Sequence, residues 1–211
     1  MNLIPKDHFQ RVLFLLFLVF FIASCIKPPY LQFLLMQHVP TVLAIFLLAY
    51  LSNRFAISRS SFSLIIVFLC LHTLGARYLY SYFPYDDLSE YLLGINISES
   101  FGFSRNHYDR LVHFSYGLLL VVPAREVAHR HFRISAGLSS LLAVGFIIAT
   151  SAGYEFIEWL VAITFTPEWA DQFLGQQGDM YDAHKDMALA TAGAVLSASI
   201  LAFARRSKFA C

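Results

Sequence analysis

Apolar stretches of bilayer length alternate with short polar breaks along most of this 211-residue chain. About 20 consecutive apolar residues cross a hydrocarbon core as a helix. Six runs approach that length: 11–27, 32–51, 60–80, 108–124, 135–163 and 184–204. The pattern predicts an all-α fold, a polytopic membrane helix bundle with about six transmembrane helices, making residues 1–211 a single integral membrane domain. Residues 81–107 form the one long break, an external loop. Within it Asp87 and Glu90 carry a helix-capping spacing, and Leu88, Tyr91, Leu92 and Ile95 repeat at helical intervals. Both an interfacial lid on the outer leaflet and a plain connecting helix fit. Asn96-Ile97-Ser98 matches a glycosylation sequon, which matters only in a secretory-pathway protein.

An even number of spans puts both termini on one side, and the positive-inside bias says which. Lys6, Arg11, Arg54, Arg59, Arg125, Arg130, Arg133, Arg205, Arg206 and Lys208 fall on that side. Lys27, Arg77, Arg105, Arg110 and Lys185 fall on the other, and this ten-to-five asymmetry makes both termini cytoplasmic. Of the acidic residues only Asp7 and Glu126 lie inside, so the outer face is acidic. The first run has a second reading, because Ile22-Ala23-Ser24-Cys25 after a basic start is similar to a bacterial lipoprotein signal. An uncleaved first span is favoured, since Pro28-Pro29 turns the chain straight back into the membrane.

Composition agrees with a membrane class: 58% of residues are hydrophobic and 14% charged. The 21 Phe and 11 Tyr suit lipid-facing surfaces and interfacial belts. A formal charge of +1 offers no basic surface for nucleic acid. Cys25, Cys70 and Cys211 lack the spacing of a metal or disulfide motif.

Polar side chains inside the spans are the informative departure, because each costs several kcal/mol in lipid unless it faces protein, water or a partner. With the helices running alternately outward and inward, they gather at one level. Span three ends near His72; span four begins with Asp109 and His113; span five reaches Tyr154, Glu155 and Glu158; span six starts at Asp179, Asp182, His184 and Asp186. Asp109 and His113 are four apart, Glu155 and Glu158 three, and Asp182 and Asp186 four, so each pair shares a helix face. Arg105 and Arg110 stand at the rim. Carboxylates and imidazole converging from several helices are how metal sites in bundles are built. Asp109, His113, Glu155, Glu158 and Asp186 would suit a hard or borderline divalent ion, there being no thiolate. Each residue also has a purely structural reading: Asp109 as an interface anchor with Arg105 and Arg110, Glu155 and Glu158 paired with Arg77 or Arg110, Asp179 and Asp182 as helix caps, and His72 as a packed core histidine. Together they leave excess negative charge in a desolvating setting, which calls for a cation, shared protons or a ligand.

The segments His72-Thr73-Leu74-Gly75-Ala76-Arg77-Tyr78, Phe101 to Arg110 with His113-Phe114, Glu155-Phe156-Ile157-Glu158-Trp159, and Gly178-Asp179-Met180-Tyr181-Asp182 with Asp186-Met187 resemble the YjdF-like inner-membrane proteins of bacteria, a domain of unknown function. The resemblance implies a multi-pass location in the bacterial inner membrane and brings no activity with it. Asp109-Arg110-x-x-His113-Phe114, the Glu-x-x-Glu helix and Asp186 with Gly193 are also similar to VanZ-type proteins, associated with glycopeptide-antibiotic resistance. That pattern often has Gln at the place of Glu158 and Asn at that of Ala190, so the resistance role does not carry over.

Three functions compete. An outward-facing site formed by Asp109, His113, Glu155, Glu158, Asp182 and Asp186, with His72, Arg105 and Arg110, would bind a cation, a proton or a lipid headgroup. A membrane hydrolase acting at the outer leaflet would use a metal there, but no HExxH or GxSxG signature accompanies it. A structural subunit would need neither. The partners implied are the lipid bilayer and a lipid or small molecule at the outer face. A reporter fused after Lys208 is expected to behave as cytoplasmic, and reporters near Asp87 or Asp171 as external. An external C-terminus would reverse the orientation and move the polar cluster to the opposite face.

Overall fold

The computed structural model describes residues 4–207, with side chains through Ala204. Lys208, Cys211 and the side chains of Arg205 and Arg206 lie outside the described residues. The described elements are all helices: α1 (His8–Ser24), α2 (Leu31–Phe55), α3 (Arg59–Arg77), α4 (Tyr85–Leu93), α5 (Ile97–Phe101), α6 (Tyr108–Arg130), α7 (Ala136–Thr164), α8 (Pro167–Leu174) and α9 (Asp182–Ser207). Five of them, α2, α3, α6, α7 and α9, are long and apolar enough to cross a membrane. The apolar α1 is shorter, at 17 residues, or about 25 Å of helix. The all-α membrane bundle expected from the apolar runs is therefore what the chain forms.

These five helices and α1 pack as two triads. Phe14 and Phe17 of α1, Leu48 of α2, and Phe62, Ile66 and Leu69 of α3 make one core. Val121 of α6, Ala143 and Ile147 of α7, and Ala190 and Ala194 of α9 make the other. Packing of α3 against α6 joins them. Outside these seams Leu16, Leu35, Leu43, Leu141 and Phe203 are exposed, as lipid-facing positions should be.

Local chemistry sets the helix ends. Asp7 caps α1 by accepting from the Gln10 amide at 3.0 Å. At the start of α3 the Glu126 carboxylate accepts from the Ser58 amide at 2.8 Å and its hydroxyl at 2.7 Å, satisfying orphan donors and placing negative charge at a helix N-terminus. The helix expected in the long loop is present as α4, with Leu88, Tyr91 and Leu92 inside it, but the connecting segments differ from expectation in detail. In the long loop α4 begins at Tyr85, so Asp87 lies inside the first turn and is not its cap. Asp86 instead accepts from the amide and hydroxyl of Ser98 at 2.8 and 2.6 Å, tying α4 to α5. Asn96 of the sequon caps α5 through the Glu99 amide at 3.0 Å. The short helix α8 was not anticipated: Pro167 occupies its first turn, and Trp169 and Phe173 lay their rings on Phe33 at 4.5 and 6.4 Å.

The α6–α9 seam is the tightest in the bundle. Gly117 faces the backbone of Ala190 and Ala194, and Gly193 faces the backbone of Phe114 and Leu118. A Cβ on Gly117 would collide with the Ala190 carbonyl and stand 2.7 Å from the Ala194 nitrogen. Small residues that let backbones touch are the usual device for helix association in lipid. Gly117→Ala and Gly193→Ala are therefore expected to lower thermal stability in detergent by about 1–3 kcal/mol each through overpacking. Gly145→Ala in α7, where an added Cβ meets nothing, is the control and should be neutral or mildly stabilising. Equal behaviour of all three would show that the seam is not under steric constraint.

Candidate functional site

The segment that enters α6 is anchored on every side before the helix begins. The Asn106 side chain donates to the Phe83 carbonyl at 2.8 Å and accepts from the Tyr108 amide at 2.9 Å. Its backbone exchanges two hydrogen bonds with the Gln177 side chain, at 2.9 and 3.1 Å. Tyr108 stacks on Phe83 at 3.9 Å and donates to the Leu71 carbonyl at 3.0 Å.

Two arginines then strap this segment to the turn before α9. Arg105 donates to both oxygens of Asp182, at 2.6 and 3.3 Å, and to the carbonyls of Gln176 and Gly175. Arg110 donates to Asp179 at 2.6 Å and approaches Asp182 at 3.5 Å. Lys185 also bonds Asp179, at 2.5 Å, and that contact is the main reason the Asp179 carboxyl falls from 3.8 to about 2. A lowered carboxyl stabilises fully above its ordinary value and loses that contribution as pH falls toward the lowered one, so the Asp179 contacts persist at pH 5. Burial, then the charges of Arg110 and Arg105, push the neighbouring His107 imidazole below its usual range.

A turn deeper lies a second group with a different charge balance. His113 Nε2 is 3.5 Å from Asp109 and 4.0 Å from Glu155. One ligand atom each from Asp109, His113 and Asp186 fall within 4.8 Å of one another. Asp186 is 3% exposed and Glu155 9%, and each has a buried carboxylate oxygen with no hydrogen-bond partner. Glu158, one turn along α7 and half-buried, is within hydrogen-bonding reach of Glu155. Among the described residues no Lys or Arg forms an ion pair with any of these four carboxylates. The helices explain the convergence: Asp186 lies one turn from Ala190, and His113 one turn from Gly117, at the seam where α9 and α6 touch.

Helices α6, α7 and α9 thus bring Asp109, His113, Glu155 and Asp186 together. Asp182 instead belongs to the strap with Arg105 and Arg110, and neither arginine forms an ion pair with the deeper carboxylates. Arg77 turns the other way, donating to the carbonyls of Ser24, Ile26 and Lys27 at the C-terminal end of α1 and just past it. His72 stands apart on α3; its Nδ1 is bonded to the Tyr80 hydroxyl at 2.5 Å and its Nε2 is buried without a partner. Sequence reasoning assigned the small residues after His72 to close helix approach. Gly75 in fact makes room for the ring of Tyr80, which folds back from positive-φ backbone at Leu79 and Tyr80. Tyr80 was missed; the glycine five residues before it was the available signal. Asp109, His113, His72, Tyr80 and Tyr154 also line one end of a cavity of about 810 Å³ between the two triads.

A family described as "Predicted membrane protein (DUF2238)" matches residues 9–207, nearly the whole chain. The chain belongs to that family. It is 32% identical over 169 residues to the inner membrane protein YjdF of Escherichia coli (strain K12), covering 80% of this chain and 77% of that protein. Neither match is to a VanZ-type protein. No solved structure matches significantly.

Because the Arg105 side chain is only 9% exposed and Asp182 5%, truncating one partner strands the other. Arg105→Ala is expected to destabilise the protein by about 3 kcal/mol. The double variant with Asp182→Asn should cost less than the two single losses added together. Strict additivity in a double-mutant cycle of detergent melting would show that the strap is not an energetic unit.

Proposed function

We propose that this is a multi-pass inner-membrane protein that binds a divalent cation at the outer end of its bundle, with Asp109, His113 and Asp186 as ligands and Glu155 as a fourth donor or water anchor. The observation that carries the reading is the unpartnered, buried oxygen on Asp186, beside an imidazole and a second carboxylate and in no ion pair with either strap arginine. A buried carboxylate without a partner is costly, and a cation offsets that cost directly. Two carboxylates and one imidazole, with no thiolate, favour magnesium, manganese, zinc or ferrous iron over soft ions. Binding at about 2.1 Å from each ligand needs the trio to draw in from 4.8 Å to no more than about 4.2 Å, within reach of small side-chain rotations. Placement at the outer leaflet rests on the asymmetry of basic residues. The inner membrane is the location named for the YjdF relative.

The hydrolase reading shares these ligands and requires in addition a bound water and a substrate. Cation binding comes first for both. Protein purified without chelator is expected to hold about one divalent ion per chain by elemental analysis. Asp186→Asn and His113→Gln, which keep shape and change donor chemistry, should lose it while remaining monodisperse. Asp171→Asn, away from the cluster, should keep it. Wild-type protein that carries no metal and takes up no manganese on titration would leave the carboxylates as protonated structural groups and end the proposal.

A further inference from the structure

The cavity beside the cluster has a one-sided polarity that points to a second component of the site. Its floor is α3 and α6, and its lips are Leu47 on α2 and Leu142 and Phe146 on α7, all exposed on the surface of the bundle. The opening therefore faces sideways, toward where lipid would lie. Along α6 the lining runs from Asp109 to Ala128, about 28 Å of helix, close to the roughly 30 Å of a hydrocarbon core. Polar lining is confined to the end at His72, Tyr80, Asp109, His113 and Tyr154 and to the next turns, where Tyr116 and Thr150 bond each other at 2.6 Å. Beyond that the walls are apolar through Leu120, Val127 and Ile134. Two helix prolines, Pro40 and Pro123, also face it. A volume near 810 Å³ lies within the roughly 300–1,000 Å³ of small-molecule sites.

We infer that this cleft seats a phosphate-bearing membrane lipid, with its hydrocarbon chain along the apolar walls and its phosphate on the cation held by Asp109, His113 and Asp186. The polarity gradient requires an amphiphile, and the lateral mouth between α2 and α7 requires one that arrives through the bilayer. Carboxylates at the polar end would repel a bare phosphate. A divalent ion reverses that sign, because phosphate oxygens complete the coordination of hard cations. The inference rests on the cation reading for its headgroup contact, whereas the seat of the chain depends on the cavity alone.

The test reconstitutes the full chain, with manganese, in phosphatidylcholine vesicles doped with phosphatidic acid carrying a photoreactive group in mid-chain. Diacylglycerol with the same photoreactive chain serves as the phosphate-free probe. Phosphatidic acid is expected to label α6 between Leu120 and Ala128, and diacylglycerol much less; chelation should reduce the first to the level of the second. Ala124→Phe and Ala44→Phe, which fill the cleft from opposite walls far from the metal ligands, should abolish labelling at that segment while keeping the bound metal. Leu141→Phe, on a surface position that is 67% exposed, should leave labelling intact. Either cleft-filling variant alone is sufficient if the other fails to fold. Labelling that is equal in the filled variants and the wild type, equal for the two probes, or absent because a protein partner occupies the cleft, would overturn the inference. With metal still bound, such a result leaves the cation reading standing; a wild type without metal fails that reading instead.

Discussion

Backbone meets backbone where α6 crosses α9, and the position of each polar group near that crossing follows from it. Gly117 and Gly193 leave no side chain between the helices, and Ala190 and Ala194 are completely buried in the seam. In lipid there is little hydrophobic gain from bringing helices together, so close van der Waals contact carries the association. One turn up from this contact, each helix presents an ionisable residue to the other: His113 from α6 and Asp186 from α9. A wider seam would separate them and open their carboxylate and imidazole to solvent or lipid. The convergence of charge is thus a consequence of two absent side chains.

Two layers of charge sit on this seam and are balanced differently. In the upper layer Arg105, Arg110 and Lys185 meet Asp179 and Asp182, a network that ties the α5–α6 segment to the α8–α9 turn. In the lower layer Asp109, Glu155, Glu158 and Asp186 have a single imidazole among them. Had the arginines reached one turn deeper, the carboxylates would be paired and the cluster would read as scaffold. Their commitment to the upper layer leaves the lower one short of positive charge, and the orphan oxygens of Glu155 and Asp186 record that shortage.

The long helices were legible because bilayer thickness imposes a run length that hydropathy records directly, and the antiparallel order of the spans was enough to bring His72, Asp109, Glu155 and Asp186 to one end of the bundle. The division between the two charge layers was not legible. Asp182 and Asp186 are four residues apart on one helix face and look alike in sequence, yet Asp182 faces Arg105 across the turn while Asp186 faces His113; only the placement of residues 102–107 decides that. Helix α8 escaped notice because eight amphipathic residues bounded by Pro167 and Gly175 carry too little periodicity beside long apolar runs. Asp87 was misread as a cap because Asp86, its neighbour, had a stronger partner in Ser98, twelve residues away. The cleft was invisible in the sequence, since its walls are ordinary apolar residues and its existence depends on the gap between two triads.

The proposed cation would lie between α6 and α9. The most direct measurement is an experimental structure of the protein grown with manganese, with the ion located by its anomalous scattering. A single strong peak between Asp109, His113 and Asp186, within ordinary coordination distance of all three, is the predicted result. Absence of such a peak from a well-ordered cluster, or a peak held by Asp179 and Asp182 in the upper layer, would contradict it.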